Sequence, residues 1–376
     1  MVANGGSYAT LDDAQTMAYA TTDPNDFVMG RGPGPFAIDE VQRGGDRLVL
    51  AIKAAVDRNQ QRGQFLLAGS TRFLTVPQLS ESLAGRAEIL ELWPLSQGEL
   101  AGSRERFAEV AFSEPSKLVT FNTERLDRTS LMRRVVEGGY PEVMGQPELA
   151  RRRWFRNYLR MVIERDIVEA SAIRQAEEIP RLLRLLASNT AGELVPTRLA
   201  NDLGIGGDTV RRYLGLLEMV GLLVRTPAWL PSLTTREKRH SKSTLVDTGL
   251  TAAILGLDAT TLSQPGAPMA GPLLEAFVNM EIRKQLSWAD TDVHLRHWRD
   301  RSGAEVDLVL EATDGRLVAI EVKAGSTVSA ADTRHLVTLR ERTGEKFLAG
   351  FVLTTAQHGE RMGDRIWALP ITTLWA

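Results

Sequence analysis

Residues 35–40 read Pro35-Phe36-Ala37-Ile38-Asp39-Glu40, an apolar run that ends in two carboxylates. A short, uninterrupted apolar run behind a Gly/Pro loop has the character of a strand buried on both faces. Working outward, Tyr8–Leu11 is a candidate short strand on one side. On the other side Leu48–Arg58 has helical periodicity, Phe65-Leu66-Leu67-Ala68-Gly69-Ser70 is a second buried run, and Ile89–Trp93 is a third. Buried strands alternating with helices predict a parallel sheet and an α/β fold. Gly30, Gly32 and Gly34 stand among prolines and read as a rigid loop, not a phosphate-binding motif.

Composition sets the limits of the reading. The 376 residues suggest two or three domains at about 150 residues each. With 43% hydrophobic and 24% charged residues, the chain is neither disordered nor collagen-like. It has no cysteine, which excludes disulfides, thiolate nucleophiles and cysteine-based zinc sites, and its five histidines are scattered. A net charge of −2 gives no global attraction to nucleic acid. No apolar run reaches about 18 residues, and Met1–Ser7 lacks the regions of a secretory signal. A cytoplasmic protein without a membrane partner is expected. Of the 45 basic residues only seven are lysines: Lys53, Lys117, Lys238, Lys242, Lys284, Lys323 and Lys346. Biased coding accounts for the arginines, and the scarcity of lysine makes each one a candidate for a chemical role.

At the carboxyl end of a parallel strand, Ile38-Asp39-Glu40 has the form of a Walker B element. Asp39 would reach Mg2+ through its water shell and Glu40 would polarise the attacking water. Ser70 and Thr71, ending the next strand, stand where a polar sensor of the γ-phosphate belongs. Arg86 could serve a phosphate on a neighbouring subunit, which would make the chain a homo-oligomer. A solvated strand end is the plain alternative for Asp39 and Glu40.

The order of motifs narrows this. Leu11-Asp12-Asp13, Ile38-Asp39-Glu40-Val41-Gln42-Arg43, Gly69-Ser70-Thr71 and Leu83-Ala84-Gly85-Arg86, then Leu92-Trp93-Pro94-Leu95-Ser96, follow in one sequence. Together with Gly138-Gly139-Tyr140-Pro141-Glu142 and Asp247-Thr248-Gly249-Leu250, they resemble a prokaryotic family of AAA+-like P-loop ATPases with a C-terminal nuclease-like domain. That resemblance implies ATP and Mg2+ as cofactors. The family's loop, Gly-x4-Gly-Lys-Ser/Thr, is absent: no glycine precedes any of the seven lysines. Its backbone N–H groups cradle the phosphates and its lysine reaches the β- and γ-phosphates. A strand–loop–helix of roughly 30 residues is thus expected to be missing ahead of Tyr8. Its loss would open a gap between Phe65–Ser70 and Ile89–Trp93, and ATP hydrolysis is expected to be lost.

A second constellation lies near the C-terminus. Glu305-Val306-Asp307 and Ile320-Glu321-Val322-Lys323 are a carboxylate strand and a Glu-x-Lys strand joined at Asp314-Gly315. Alternate residues share a strand face, so Glu321 and Lys323 project together. Two carboxylates on adjacent strands can hold Mg2+, with Glu275 from the preceding helix completing the shell, while Lys323 orients or deprotonates water. Helix, three strands, helix and strand with these acids resembles the PD-(D/E)XK nuclease fold, whose motif Asp307, Glu321 and Lys323 match. A two-residue Asp314-Gly315 turn would put Asp307 on the wrong face. A three-residue Asp314–Arg316 loop, or a bulge, would put it on the face of Glu321. An exposed cross-strand ion pair is the alternative reading.

Between the two, Leu194–Thr226 reads as helix, Gly204 turn, second helix Asp208–Met219, then strand Leu222–Arg225: a helix-turn-helix with a wing. Thr197 and Asp208 are the expected caps. Arg198, Arg211, Arg212 and Arg225 could contact DNA, against which Asp202, Asp208 and Glu218 offset the charge. Thr226–Lys242 reads as a connector. Arg151-Arg152-Arg153-Trp154-Phe155-Arg156 reads as a solvated basic face over a packed Trp154.

The expected architecture is therefore an α/β multidomain chain: a partial AAA+-like core over 1–100, a helical lid or linker over 101–190, a winged helix over 191–245 and a PD-(D/E)XK-like domain over 246–376. The expected function is that of an AAA+-like ATP-binding family member without its phosphate loop. The alternatives are an Mg2+-dependent nuclease and a non-enzymatic DNA- or protein-binding module.

Overall fold

A computed structural model describes residues 5–32, 34–59, 61–69, 83, 85–168, 176–231, 239–300 and 302–376. It divides into two compact units, one built on residues 1–90 with 165–172 and 219–221, the other on the remainder.

The first unit centres on three parallel strands, β1 (Ser7–Thr10), β2 (Phe36–Asp39) and β3 (Phe65–Leu67), in the order β1-β2-β3. Phe36, Ala37 and Ile38 are all buried, as a central strand covered on both faces requires. Ile38 packs with Leu11, Phe27, Val28, Val41, Leu48 and Ile52, the last two from the helix Gly45–Arg58. Asp13 caps the helix Ala14–Thr22 by accepting from the Thr16 backbone N–H at 2.8 Å. The expected strand at Ile89–Trp93 does not form. Ile89, Leu90 and Leu92 are 67%, 74% and 99% exposed, and among the described residues no strand pairs with them.

The second unit holds a mixed six-stranded sheet. Its members are β6 (Val293–Arg299), β7 (Glu305–Ala312), β8 (Leu317–Val322), β9 (Phe347–Thr354), β10 (Glu360–Gly363) and β11 (Ile366–Pro370), in the order β10-β11-β9-β8-β7-β6. Its core includes Leu308, Leu310, Ile320 and Phe351, packed with Phe277 and Val278 of the helix Ala270–Leu286. Another cluster joins Val309, Ala319 and Val352 to Leu336 and Leu339 of the helix Ala330–Thr343. β9 is the strand expected after the last helix; β10 and β11 were not foreseen.

The helix-turn-helix forms from Pro196–Leu203 and Gly207–Met219 around Gly204, whose φ of 71° is the left-handed conformation that favours glycine. Pro196 at the first helical turn opens the first helix, and neither expected cap serves: Thr197 lies inside it, and the second helix starts ahead of Asp208. Strand β4 (Leu223–Thr226) pairs antiparallel with β5 (Lys242–Leu245). The residue read as the end of a connector, Lys242, is therefore the first residue of a strand. In the basic helix Glu148–Met161 the buried anchor is Phe155, while Trp154 stacks on Tyr158 with ring centroids 5.1 Å apart.

Candidate functional site

In the first unit, Asp39 ends β2 and Glu40 follows it in a left-handed conformation at φ 52°. That conformation is uncommon for a residue with a side chain. It turns the chain sharply at the carboxyl end of the sheet, where ligands of parallel α/β sheets bind. Both carboxylates have neutral donors. The Tyr8 hydroxyl donates to Asp39 Oδ2 at 3.0 Å, the Glu40 backbone N–H to Asp39 Oδ1 at 3.0 Å, and the Gln42 amide to Glu40 Oε2 at 2.5 Å. Nearby cations pair elsewhere: Arg43 with Asp12, and Arg86 with Asp57 through Nε at 2.6 Å and Nη2 at 3.3 Å. Among the described residues Asp39 and Glu40 have no ion pair. Ser70 and Thr71 lie outside the described residues. With no Gly-Lys dipeptide in the chain, the residues present do not fit a self-contained ATP site: the acidic side is there and the phosphate cradle is not.

In the second unit the hairpin register differs from both expected alternatives. Ala312 N–H donates to Arg316 O at 3.0 Å, Glu311 pairs with Leu317 and Leu308 with Ile320, so the connecting loop is Thr313-Asp314-Gly315. Continued, that register sets Asp307 level with Glu321. Asp307 also lies at an irregularity: Arg296 pairs with Val309 and Trp298 with Val306, a two-residue step on β6 against three on β7. This extra residue is a β-bulge, the device that re-aims a side chain beside a site. The Val322 backbone N–H donates to Asp307 Oδ2 at 2.9 Å, and Lys323 Nζ donates to Glu321 Oε1 at 2.7 Å.

The structure adds a residue that the sequence reading named only among the seven lysines and as the end of a connector. Lys242 Nζ lies 2.6 Å from Glu275 Oε1, 2.6 Å from Glu305 Oε1 and 3.5 Å from Asp307 Oδ1, with its side chain 5% exposed. Four of the anticipated residues, Glu275, Asp307, Glu321 and Lys323, thus meet in one charged network with Lys242 and Glu305. Burial works against the Lys242 ammonium, yet Glu275, Asp307 and Glu305 outweigh it and hold its pKa above the ordinary lysine value. Burial, then the Asp307 charge, pushes Glu275 up to about 8 against the pull of Lys242. The same two causes push Glu321 up to about 7, opposed by Lys323. Burial and Lys242 together push the neighbouring His297 down to about 4. Among the described residues no group of three or more ligating side chains is arranged to hold a metal ion. The arrangement does not fit a resident Mg2+.

The arginines of the helix-turn-helix are engaged locally. Arg211 pairs with Asp208 and Arg225 with Glu218, Arg198 lies 4.0 Å from Asp202, and Arg212 sits 5.9 Å from the Tyr213 ring centroid.

Three of the other quoted motifs form scaffold. Asp247 is buried, caps the helix Thr248–Leu255 through the Leu250 N–H at 2.9 Å, and accepts from the Gly139 N–H at 2.7 Å. A Cβ on Gly138 would stand 2.1 Å from Asp247 Oδ1, so glycine is required there. Leu95 N–H donates to Gly139 O at 2.8 Å, while Lys284 Nζ donates to Leu95 O at 3.0 Å and to buried Glu281 at 2.7 Å.

Comparison with known proteins gives three family matches. Residues 4–101 match an AAA domain, residues 128–261 a domain of unknown function (DUF8612), and residues 270–374 another (DUF4143). These support a prokaryotic AAA-like ATPase family. Uncharacterized proteins of Mycobacterium bovis and Mycobacterium tuberculosis are each 29% identical over 297 residues, covering 79% of this chain and 60% of the relative. The chain thus spans about three fifths of the length of the curated relatives it matches. Among the described residues no helix is long and apolar enough to cross a membrane.

Proposed function

We propose that the first unit is the acidic half of an AAA-like nucleotide site, within a cytoplasmic protein whose family uses ATP and Mg2+. The observation that carries this is Asp39-Glu40 turning out of the central strand of a parallel sheet at its carboxyl end. The AAA-domain match over residues 4–101 supports it. The chain has no Gly-Lys to hold the phosphates, so on its own it neither binds ATP tightly nor hydrolyses it. Titrating ATP with Mg2+ into the purified chain tests this by calorimetry. Affinity weaker than millimolar is expected; micromolar, Mg2+-dependent affinity that Asp39→Asn abolishes would overturn it. Arg86 as a contributor to a neighbouring subunit's site remains part of this proposal, and would require it to leave Asp57.

A second reading rests on the meeting of Glu275, Asp307, Glu321 and Lys323. We propose that the second unit is a nuclease-like module that does not cleave, for want of a fitting metal shell. Mg2+-dependent plasmid cleavage by the chain, lost in Lys323→Ala, would reverse that. For the helix-turn-helix we propose protein docking over DNA contact, because acids already engage its arginines.

A further inference from the structure

Lys242 is as buried as Lys284, but where Lys284 pairs with one acid, Lys242 pairs with three. Its ammonium is almost wholly buried, and the oxygens around it come from three separate places: Glu275 on the helix Ala270–Leu286, and Glu305 and Asp307 either side of Val306 on the bulged β7. It is held there from the backbone as well as by charge. Lys242 opens β5, where it pairs with Thr226 of β4 and bridges Glu193. Thr226 in turn accepts from the Asn279 amide at 2.8 Å, on the helix that carries Glu275. A lysine that merely snorkelled to a convenient acid would keep its head in water; this one does not.

The carboxylates also outnumber their cations. Four buried or half-buried acids, Glu275, Glu305, Asp307 and Glu321, face three cations: the Lys242 and Lys323 ammonium groups and the Arg299 guanidinium 3.8 Å from Glu305. Glu321 is 6% exposed, and its Oε2 has no hydrogen-bond partner among the described residues. Gathering carboxylate oxygens from a helix and a bulged strand around one positive centre is also how a hard divalent cation is held. Here the positive centre is covalently part of the chain.

We propose that Lys242 is the resident cation of a latent divalent-cation site formed by Glu275, Asp307 and Glu321 with Glu305. The ammonium takes the seat, so the second unit folds and stays folded without metal. Withdrawing it uncovers oxygens that a divalent ion can share. This stands independently of the nucleotide reading, which concerns other residues.

The test is Mn2+ binding, read by electron paramagnetic resonance of the free ion and by thermal unfolding, on the whole chain as wild type, Asp307→Asn, Lys242→Gln and Lys242→Gln/Asp307→Asn. The wild type is expected to bind no Mn2+ at the cluster, with a melting temperature indifferent to Mn2+ or EDTA. Lys242→Gln is expected to melt lower and to recover roughly 5–10 °C at a hundredfold excess of Mn2+ over its dissociation constant. The double variant should lose both the ion and the recovery. Micromolar Mn2+ binding by the wild type that Asp307→Asn abolishes would overturn the proposal. So would a Lys242→Gln protein that stays metal-free or unfolded when Mn2+ is supplied.

Discussion

The chain carries two sets of carboxylates at strand ends and treats them in opposite ways. Asp39 and Glu40 sit half-buried with a tyrosine hydroxyl, a backbone amide and a glutamine amide for partners. Glu275, Glu305 and Asp307, half-buried, and Glu321, buried, have ammonium groups for partners. Neutral donors satisfy lone pairs but leave the charge to be met by something else, which suits a transient ligand. Ammonium groups meet the charge within the fold, which suits a permanent element of structure.

Removing Lys242 should therefore have the largest effect. Lys242→Ala leaves three half-buried acids without their shared buried cation, and losing one side of a buried pair costs about 3–5 kcal/mol. For a unit of this size, each kcal/mol lowers the melting temperature by roughly 2–4 °C, readable by calorimetry. A change under about 1 kcal/mol would mean that solvent reaches the cluster and screens it.

The pH dependence should come next. Glu275 titrates near 8 in the folded chain and at 4.5 as its ordinary value, so between those values the folded state keeps a proton that the unfolded state has released. Stability then falls as pH rises. His297, pushed down to about 4 from 6.5, slopes the other way, but only below pH 6.5. From pH 6.5 to 8 the melting temperature of the second unit should thus decline, and Glu275→Gln should flatten that decline. A rising curve in that window would refute the assignment.

Asp39→Asn should matter far less to the fold. It weakens two hydrogen bonds made to a charged acceptor and leaves no buried charge behind, a cost of about 0.5–1 kcal/mol. The smallest effect belongs to Arg211→Ala with Arg212→Ala. DNA affinity measured by fluorescence anisotropy at low salt should change by less than roughly twofold. A loss of more than about tenfold would restore direct DNA contact.

How far the sequence discloses these sites follows from the range of the interactions. Local patterns were enough for β2, β3 and β9, and for the helix-turn-helix with its Gly204 turn. They were also enough to place Glu321 and Lys323 on one strand face, since a strand period of two is written in adjacent residues. The bulge at Asp307 and the Thr313–Gly315 loop were not legible, because register depends on what the partner strand presents. Lys242 was hidden for a similar reason. It precedes the helix of Glu275 by two further helices and their loops, and nothing near it marks Lys242–Leu245 as a strand until β4 pairs with it. Ile89–Trp93 failed in the other direction. An apolar run reports a preference for burial, yet Leu92 is 99% exposed among the described residues. The motifs Gly138-Gly139 and Asp247 entered the reading only through the resemblance, and their work is to fix a helix start against a buried loop.

The contrast between a set of acids closed by its own cation and a set left open is tested most directly by one paired experiment: thermal unfolding of Lys242→Ala and Asp39→Asn against the wild type, each in EDTA. The account predicts a large fall for Lys242→Ala, a small one for Asp39→Asn, and a wild type unmoved by the chelator. Equal falls in the two variants, or a wild type that EDTA destabilises, would contradict it.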